Sequence, residues 1–133
     1  MEKIRVCFTS TDLHAYSETF IRNLKNGLEA EVFHCYGEMF PFKSEDKILQ
    51  SYKTPPLIDL IKHRLGLIKR PLKEYYLIKY FQAQRINLIF ANYGPSGAAL
   101  ATIAEELNIP LIVHFHGFDA SIYDVLQVHF SAF

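Results

Sequence analysis

The chain has 133 residues, half of them hydrophobic, with 14 basic and 14 acidic side chains and zero net charge. That length suits one domain with its own core, and so apolar and aromatic a composition excludes a disordered or collagen-like chain. No apolar run approaches the ~18 residues of a membrane span, and the first residues lack the apolar stretch and cleavage site of a signal peptide, so the sequence reads as cytoplasmic.

Residues 4–9 are apolar and rich in strand formers, and a polar loop over 10–16 follows them. Ser17 is placed to cap a helix with Glu18 in its first turn. Its apolar positions Phe20, Ile21, Leu24 and Leu28 share one face, and Gly27 is placed to end it. Residues 31–36 form a second strand, and 37–56 read as a long, partly irregular connection. Cys7 and Cys35 fall inside the first two strands with no CxxC or Cys/His spacing, which reads as two buried free thiols. Leu57, Ile61, Leu65 and Ile68 share a helical stripe up to Pro71, and a second helix, apolar almost all round, runs from Leu72 to about Arg85. A short buried strand at 88–91 leads through Asn92-Tyr93-Gly94-Pro95-Ser96-Gly97 into a helix that packs Leu100, Ile103, Ala104 and Leu107 on one side. Asn108 and Pro110 stop it, 111–115 is a fourth strand, and 116–119 turns into a final helical piece.

Nearly continuous apolar strands alternating with helices predict an α/β fold, a Rossmann-like parallel sheet with helices on both faces. Such sheets bind ligands at the carboxyl ends of their strands, which brings residues 10–18, 92–97 and 116–119 into consideration. His114, His116 and Asp119 lie close together, but a zinc site needs three or four ligands with supporting second shells and only a distant His or Asp could complete this one, so no metal is expected. His114 reads as a core histidine and Asp119 as a helix cap. His116 lies where the strand ends, and Gly117 lets another backbone or a ligand approach it, which makes His116 the candidate functional histidine. The first turn after Tyr93 offers free N–H groups that suit a phosphate or a sugar hydroxyl, or serves only to seat an Ala-rich helix. Ser17-Glu18-Thr19 carries the same pair of readings.

Charge is unevenly spread. Residues 1–61 hold 7 basic and 9 acidic side chains, residues 62–85 hold 7 and 1, and residues 86–133 hold none and 4. The basic block from Lys62 to Arg85 interleaves Lys69, Arg70, Lys73 and Lys79 with aromatic residues. It reads as a solvated helix face or as a peripheral contact with the inner face of an anionic membrane. No nucleic-acid-binding motif accompanies it, and no nucleic-acid partner is expected.

Taken together, Ser17-Glu18-Thr19-Phe20-Ile21 after a first strand, Asn92-Tyr93-Gly94 opening a small-residue helix, and residues 113–121, read Val-His-Phe-His-Gly-Phe-Asp-Ala-Ser, resemble the N-terminal domain of GT4-type glycosyltransferases. These are retaining enzymes of the GT-B fold, and the likeness is to those that build bacterial exopolysaccharide, colanic acid or lipopolysaccharide. The resemblance implies a domain that holds the acceptor while a sugar moves from a nucleotide diphosphate sugar to a glycan or lipid-linked acceptor. The nucleotide sugar is a co-substrate, and no resident cofactor is implied. His116 matches the family's histidine that faces the donor sugar. Ser17, Glu18, Thr19, Asn92, Tyr93, Gly94, Gly117 and Asp119 match positions around the substrate. The first loop departs from the family in offering Ser10-Thr11-Asp12-Leu13-His14, without glycine. On this resemblance the chain is a single N-terminal domain, incomplete at its C-terminal end and inactive without the family's nucleotide-binding domain. A flavodoxin-like partner module, and the N-terminal subunit of a split glycosyltransferase, are the alternative readings.

Overall fold

The computed structural model describes residues 2–13 and 19–116. They form an α/β fold with a five-stranded, mostly parallel sheet in the order β3-β2-β1-β4-β5. The strands are β1 (Arg5–Ser10), β2 (Glu31–Tyr36), β3 (Lys43–Ser44), β4 (Leu88–Asn92) and β5 (Leu111–His114). The helices are α1 (Thr19–Asn26), α2 (Leu57–Arg64), α3 (Leu72–Gln84) and α4 (Gly94–Leu107). Strand β1 pairs in parallel with β2 on one side and β4 on the other, and β4 pairs in parallel with β5. This is the Rossmann-like arrangement the alternating pattern predicts. One element departs from it: the two-residue β3 runs antiparallel to β2 within the stretch expected to be irregular. Two residues are too few to leave a period in the sequence.

The pleat of β1 sorts the core into two layers. Val6 and Phe8 pack with Ile21 of α1, together with Leu24, Val32 and Phe90. Cys7 faces the other way, with Cys35, Ile89 and Ala91, against Tyr76, Leu77 and Phe81 of α3 and Leu100 and Ile103 of α4. Helices therefore cover both faces, and the fully buried Phe8, Leu77, Ile89 and Leu100 each stabilise the fold by roughly 1.5–3 kcal/mol of apolar transfer. Phe40 and Leu49, from the connection after β2, also join the core, so that stretch is packed rather than loose.

Helix α3 and helix α4 end in the same way. Arg85 and Asn108 adopt the left-handed conformation. Ile86 N–H then bonds Phe81 O at 2.9 Å, and Ile109 N–H bonds Ala104 O at 2.9 Å, which closes a Schellman motif in each. Helix α2 is shorter than its stripe of apolar residues suggests. It stops at Leu65, where Gly66 takes φ +76°, five residues before Pro71, and none of its residues is buried. Of the four stripe residues only Ile68, beyond the helix, enters the interior.

Candidate functional site

The sheet order reverses between β1 and β4, and in open α/β sheets the crevice at such a reversal, outside the carboxyl ends of the strands, is the ligand edge. Asn92, the last residue of β4, is fully buried there and donates Nδ2–H to Thr9 O across the crevice at 2.8 Å. Its Oδ1 is buried and has no hydrogen-bond partner among the described residues, and the same holds for Nδ1 of His114, its register partner on β5. An unmatched buried acceptor costs about 1–3 kcal/mol, so this edge holds polar capacity the described chain does not use.

Tyr93 turns β4 into α4 with φ +75° and ψ 139°, a strained conformation for a side-chain-bearing residue. Its N–H bonds His114 O at 2.9 Å, which locks the turn to β5. Gly94 and Pro95 then begin α4; proline suits this first turn, where its missing N–H would in any case lack a helical partner. Ser96, one turn in, lies 3.3 Å from Thr9 Oγ1 and donates to Met39 O at 2.9 Å, so the helix start is fastened to β1 and to the connection after β2.

Four rings gather beside that helix start. The His116 centroid lies 4.3 Å from that of Tyr93, 4.5 Å from that of His114 and 4.9 Å from that of Phe20 on α1. Of the sequence-predicted site residues, His116, Asn92, Tyr93 and Gly94 thus meet at one end of the sheet, and Thr19 begins α1, the helix that supplies Phe20. Ser17, Glu18, Gly117 and Asp119 lie outside the described residues, as do the final turn and helical piece.

The sequence does not single out a second polar group beside the crevice. A cavity of about 200 Å³ opens at the carboxyl ends of β1 and β2, lined by Ser10, Asp12, Arg22, Lys25, His34 and Glu45 among others. Ser10 Oγ donates to Asp12 O at 2.7 Å and therefore accepts from His34 Nε2–H at 2.5 Å. That assigns the His34 tautomer and leaves Nδ1 to accept from Lys25 Nζ at 3.3 Å, while Lys25 also pairs with Glu45 at 2.7 Å. In this tautomer the imidazole donates to Ser10 and cannot take its proton, so the set positions polar groups rather than activating a serine nucleophile. The only signal in the sequence is a histidine inside the strand Glu31–Tyr36, where an apolar residue would be ordinary.

Among the described residues no group of three or more His, Cys, Asp or Glu is placed to hold a metal ion. The two cysteines are fully buried, and their mutual hydrogen bond, reinforced by burial, pushes the Cys35 thiol well above its ordinary pKa, which keeps it protonated and unreactive. Compared with family models, curated proteins and solved structures, the chain matches none.

Proposed function

We propose that this chain is the acceptor-side, N-terminal domain of a retaining GT4-type glycosyltransferase, one that moves a sugar from a nucleotide diphosphate sugar to a glycan or lipid-linked acceptor. The observation that carries the reading is the ring cluster of Phe20, Tyr93, His114 and His116 at the carboxyl edge of the sheet, next to the first turn of α4 and the buried Asn92. A saccharide presents both an apolar face of C–H groups and a rim of hydroxyls. It suits a site that offers aromatic faces together with a few fixed donors and acceptors. In this reading His116 bonds a hydroxyl of the transferred sugar and orients it, or stabilises charge as the diphosphate departs. The first turn of α4, beside that cluster, presents the positive end of its helix dipole to a hydroxyl or a phosphate oxygen. The nucleotide itself belongs to the family's other domain.

Histidine-selective NMR on the purified chain tests this. Titration with oligosaccharides and with a polyprenyl-diphosphate-linked sugar is expected to shift the His114 and His116 imidazole signals, and His116→Ala is expected to weaken that binding about tenfold, roughly 1.4 kcal/mol. UDP or GDP alone is expected to leave both signals in place. Silence toward every saccharide, or a response to the bare nucleotide as strong as to any saccharide, would overturn the assignment.

A further inference from the structure

Helix α2 is built inside out. At about 100° per residue, Leu57, Ile61 and Leu65 lie on one stripe with Ile58 and Leu60 at its borders, and Asp59 lies roughly 160° from the centre of that stripe. An ordinary surface helix turns its apolar stripe to the core. Here the carboxylate faces inward, where Asp59 accepts a hydrogen bond from the buried Tyr76 at 2.8 Å. The apolar residues face out: Leu57 is 72% exposed and Leu65 70%, and Leu67 in the following turn is 71% exposed. The orientation is fixed by that inward bond, so the stripe does not reach the core by rolling without leaving Asp59 unbonded against Tyr76.

The charges around the stripe say what covers it. Between residues 57 and 73 Asp59 is the single acid, against Lys62, Arg64, Lys69, Arg70 and Lys73. Arg70 donates to Glu106 through both terminal guanidinium nitrogens, Nη1 and Nη2, and Lys73 lies over the Phe40 ring at 5.1 Å. Lys62, Arg64 and Lys69 take no part in an ion pair among the described residues. Lys62 borders the stripe. Arg64 rises from within it on a stem long enough to lie along leucine while its head reaches outward.

We propose that residues 57–69 form a docking surface for an anionic phospholipid membrane, with α2 lying flat in the interface. The exposed Leu57, Ile58, Leu60, Ile61, Leu65 and Leu67 enter the boundary of the acyl chains, and the three unpaired cations meet lipid phosphates. One surface thus satisfies both halves of the patch, whereas an apolar protein groove would leave the cations uncompensated. The surface is narrower than the basic block from Lys62 to Arg85. In α3, Tyr76, Leu77, Ile78, Tyr80 and Phe81 are spent on the core and cannot reach a membrane. The inference rests on exposure and charge in α2 and holds whether or not the ring cluster binds a saccharide.

Vesicle flotation of the full chain provides the test. Vesicles of phosphatidylcholine with about a third phosphatidylglycerol are expected to carry the protein upward, pure phosphatidylcholine to carry little, and salt well above physiological strength to release it. Each basic residue near such a surface is worth roughly a fivefold change in partition, so Lys62→Glu with Arg64→Glu and Lys69→Glu is expected to abolish flotation. Leu57→Ser with Ile61→Ser is expected to do the same at unchanged charge. All these positions are exposed, so both variants should keep the wild-type circular dichroism and melting temperature, which separates lost docking from lost folding. No flotation with anionic vesicles, or flotation that both variants retain, would overturn the proposal. So would a dimer in solution that Leu57→Ser with Ile61→Ser dissolves while vesicles bind neither form.

Discussion

At the scale of single residues, polar groups near the core are held by partners distant in sequence. Asp46 shows the consequence for pH. Burial alone would raise its pKa, but hydrogen bonds from the Ser44 hydroxyl, from Ile48 N–H at 3.0 Å and from the Tyr80 hydroxyl at 2.7 Å outweigh it and hold the carboxyl below its ordinary value. The same contact works in reverse on Tyr80: burial first, then the neighbouring Cys35 and the bond to Asp46, push the phenol far above its ordinary pKa. A carboxyl depressed in the folded state adds stability that is complete above its unfolded pKa of about 4 and is lost as pH falls through the lower folded value. Tyr80→Phe keeps the ring in the core and removes one of the three donors. It is expected to cost about 1 kcal/mol at pH 7, at the modest end because Asp46 is open to solvent on one side. The deficit should shrink toward pH 2, where Asp46 is protonated in both proteins. Urea unfolding at the two pH values measures this, and an equal deficit at both would refute the account. None of this was legible beforehand, because Asp46 and Tyr80 are 34 positions apart and local pattern carries no record of such a pair.

At the scale of elements, the strands and the two long helices were legible because their signals are strong and local. The strands are short, nearly unbroken apolar runs, and Asn108 and Pro110 punctuate the end of α4. Helix α2 ends short of Pro71 and leaves its stripe exposed, which the sequence does not tell, because periodicity reports that an apolar stripe exists, not whether the core lies beneath it. The helix ends carry a further prediction. Arg85 is exposed and sits at φ +53° and ψ +45° to close α3, a conformation that costs a residue with a side chain roughly 1 kcal/mol and costs glycine little. Arg85→Gly is therefore expected to raise stability by up to about 1 kcal/mol. The opposite holds at the end of β2, where Gly37 takes φ +128° and a Cβ would come within 2.5 Å of the Phe42 ring. Gly37→Ala is expected to destabilise by about 1–3 kcal/mol. Melting temperatures of the pair decide it, and a shift of the same sign in both would count against the backbone explanation.

At the scale of the whole molecule, zero net charge is the sum of unlike regions, and the sheet order is what brings distant segments to one edge. The alternation of strands and helices made the α/β class legible, and the carboxyl-edge rule pointed to Asn92, Tyr93 and His116. The bonds that fasten the edge, Asn92 to Thr9, Ser96 to Met39 and Ser10 to His34, join residues 24 to 83 positions apart and could be found only in the folded chain. The same topology predicts how stability is distributed. Strand β1 pairs on both sides, both its faces are covered, and Val6, Cys7, Phe8 and Thr9 are at most 2% exposed, so their amides have no route to water short of unfolding the domain. Strand β5 pairs with β4 alone among the described residues, and Ile112 stands 46% exposed on its face. Native-state hydrogen exchange should find the Cys7 and Phe8 amides opening only with the full free energy of unfolding, responding to denaturant with the global slope. The β5 amides should exchange at least about tenfold faster, through a smaller opening of about 1.4 kcal/mol less or more, with a shallower slope. Equal protection and equal slopes in the two strands would mean that β5 is held as firmly as the centre of the sheet, and the graded stability inferred from its exposure would be wrong.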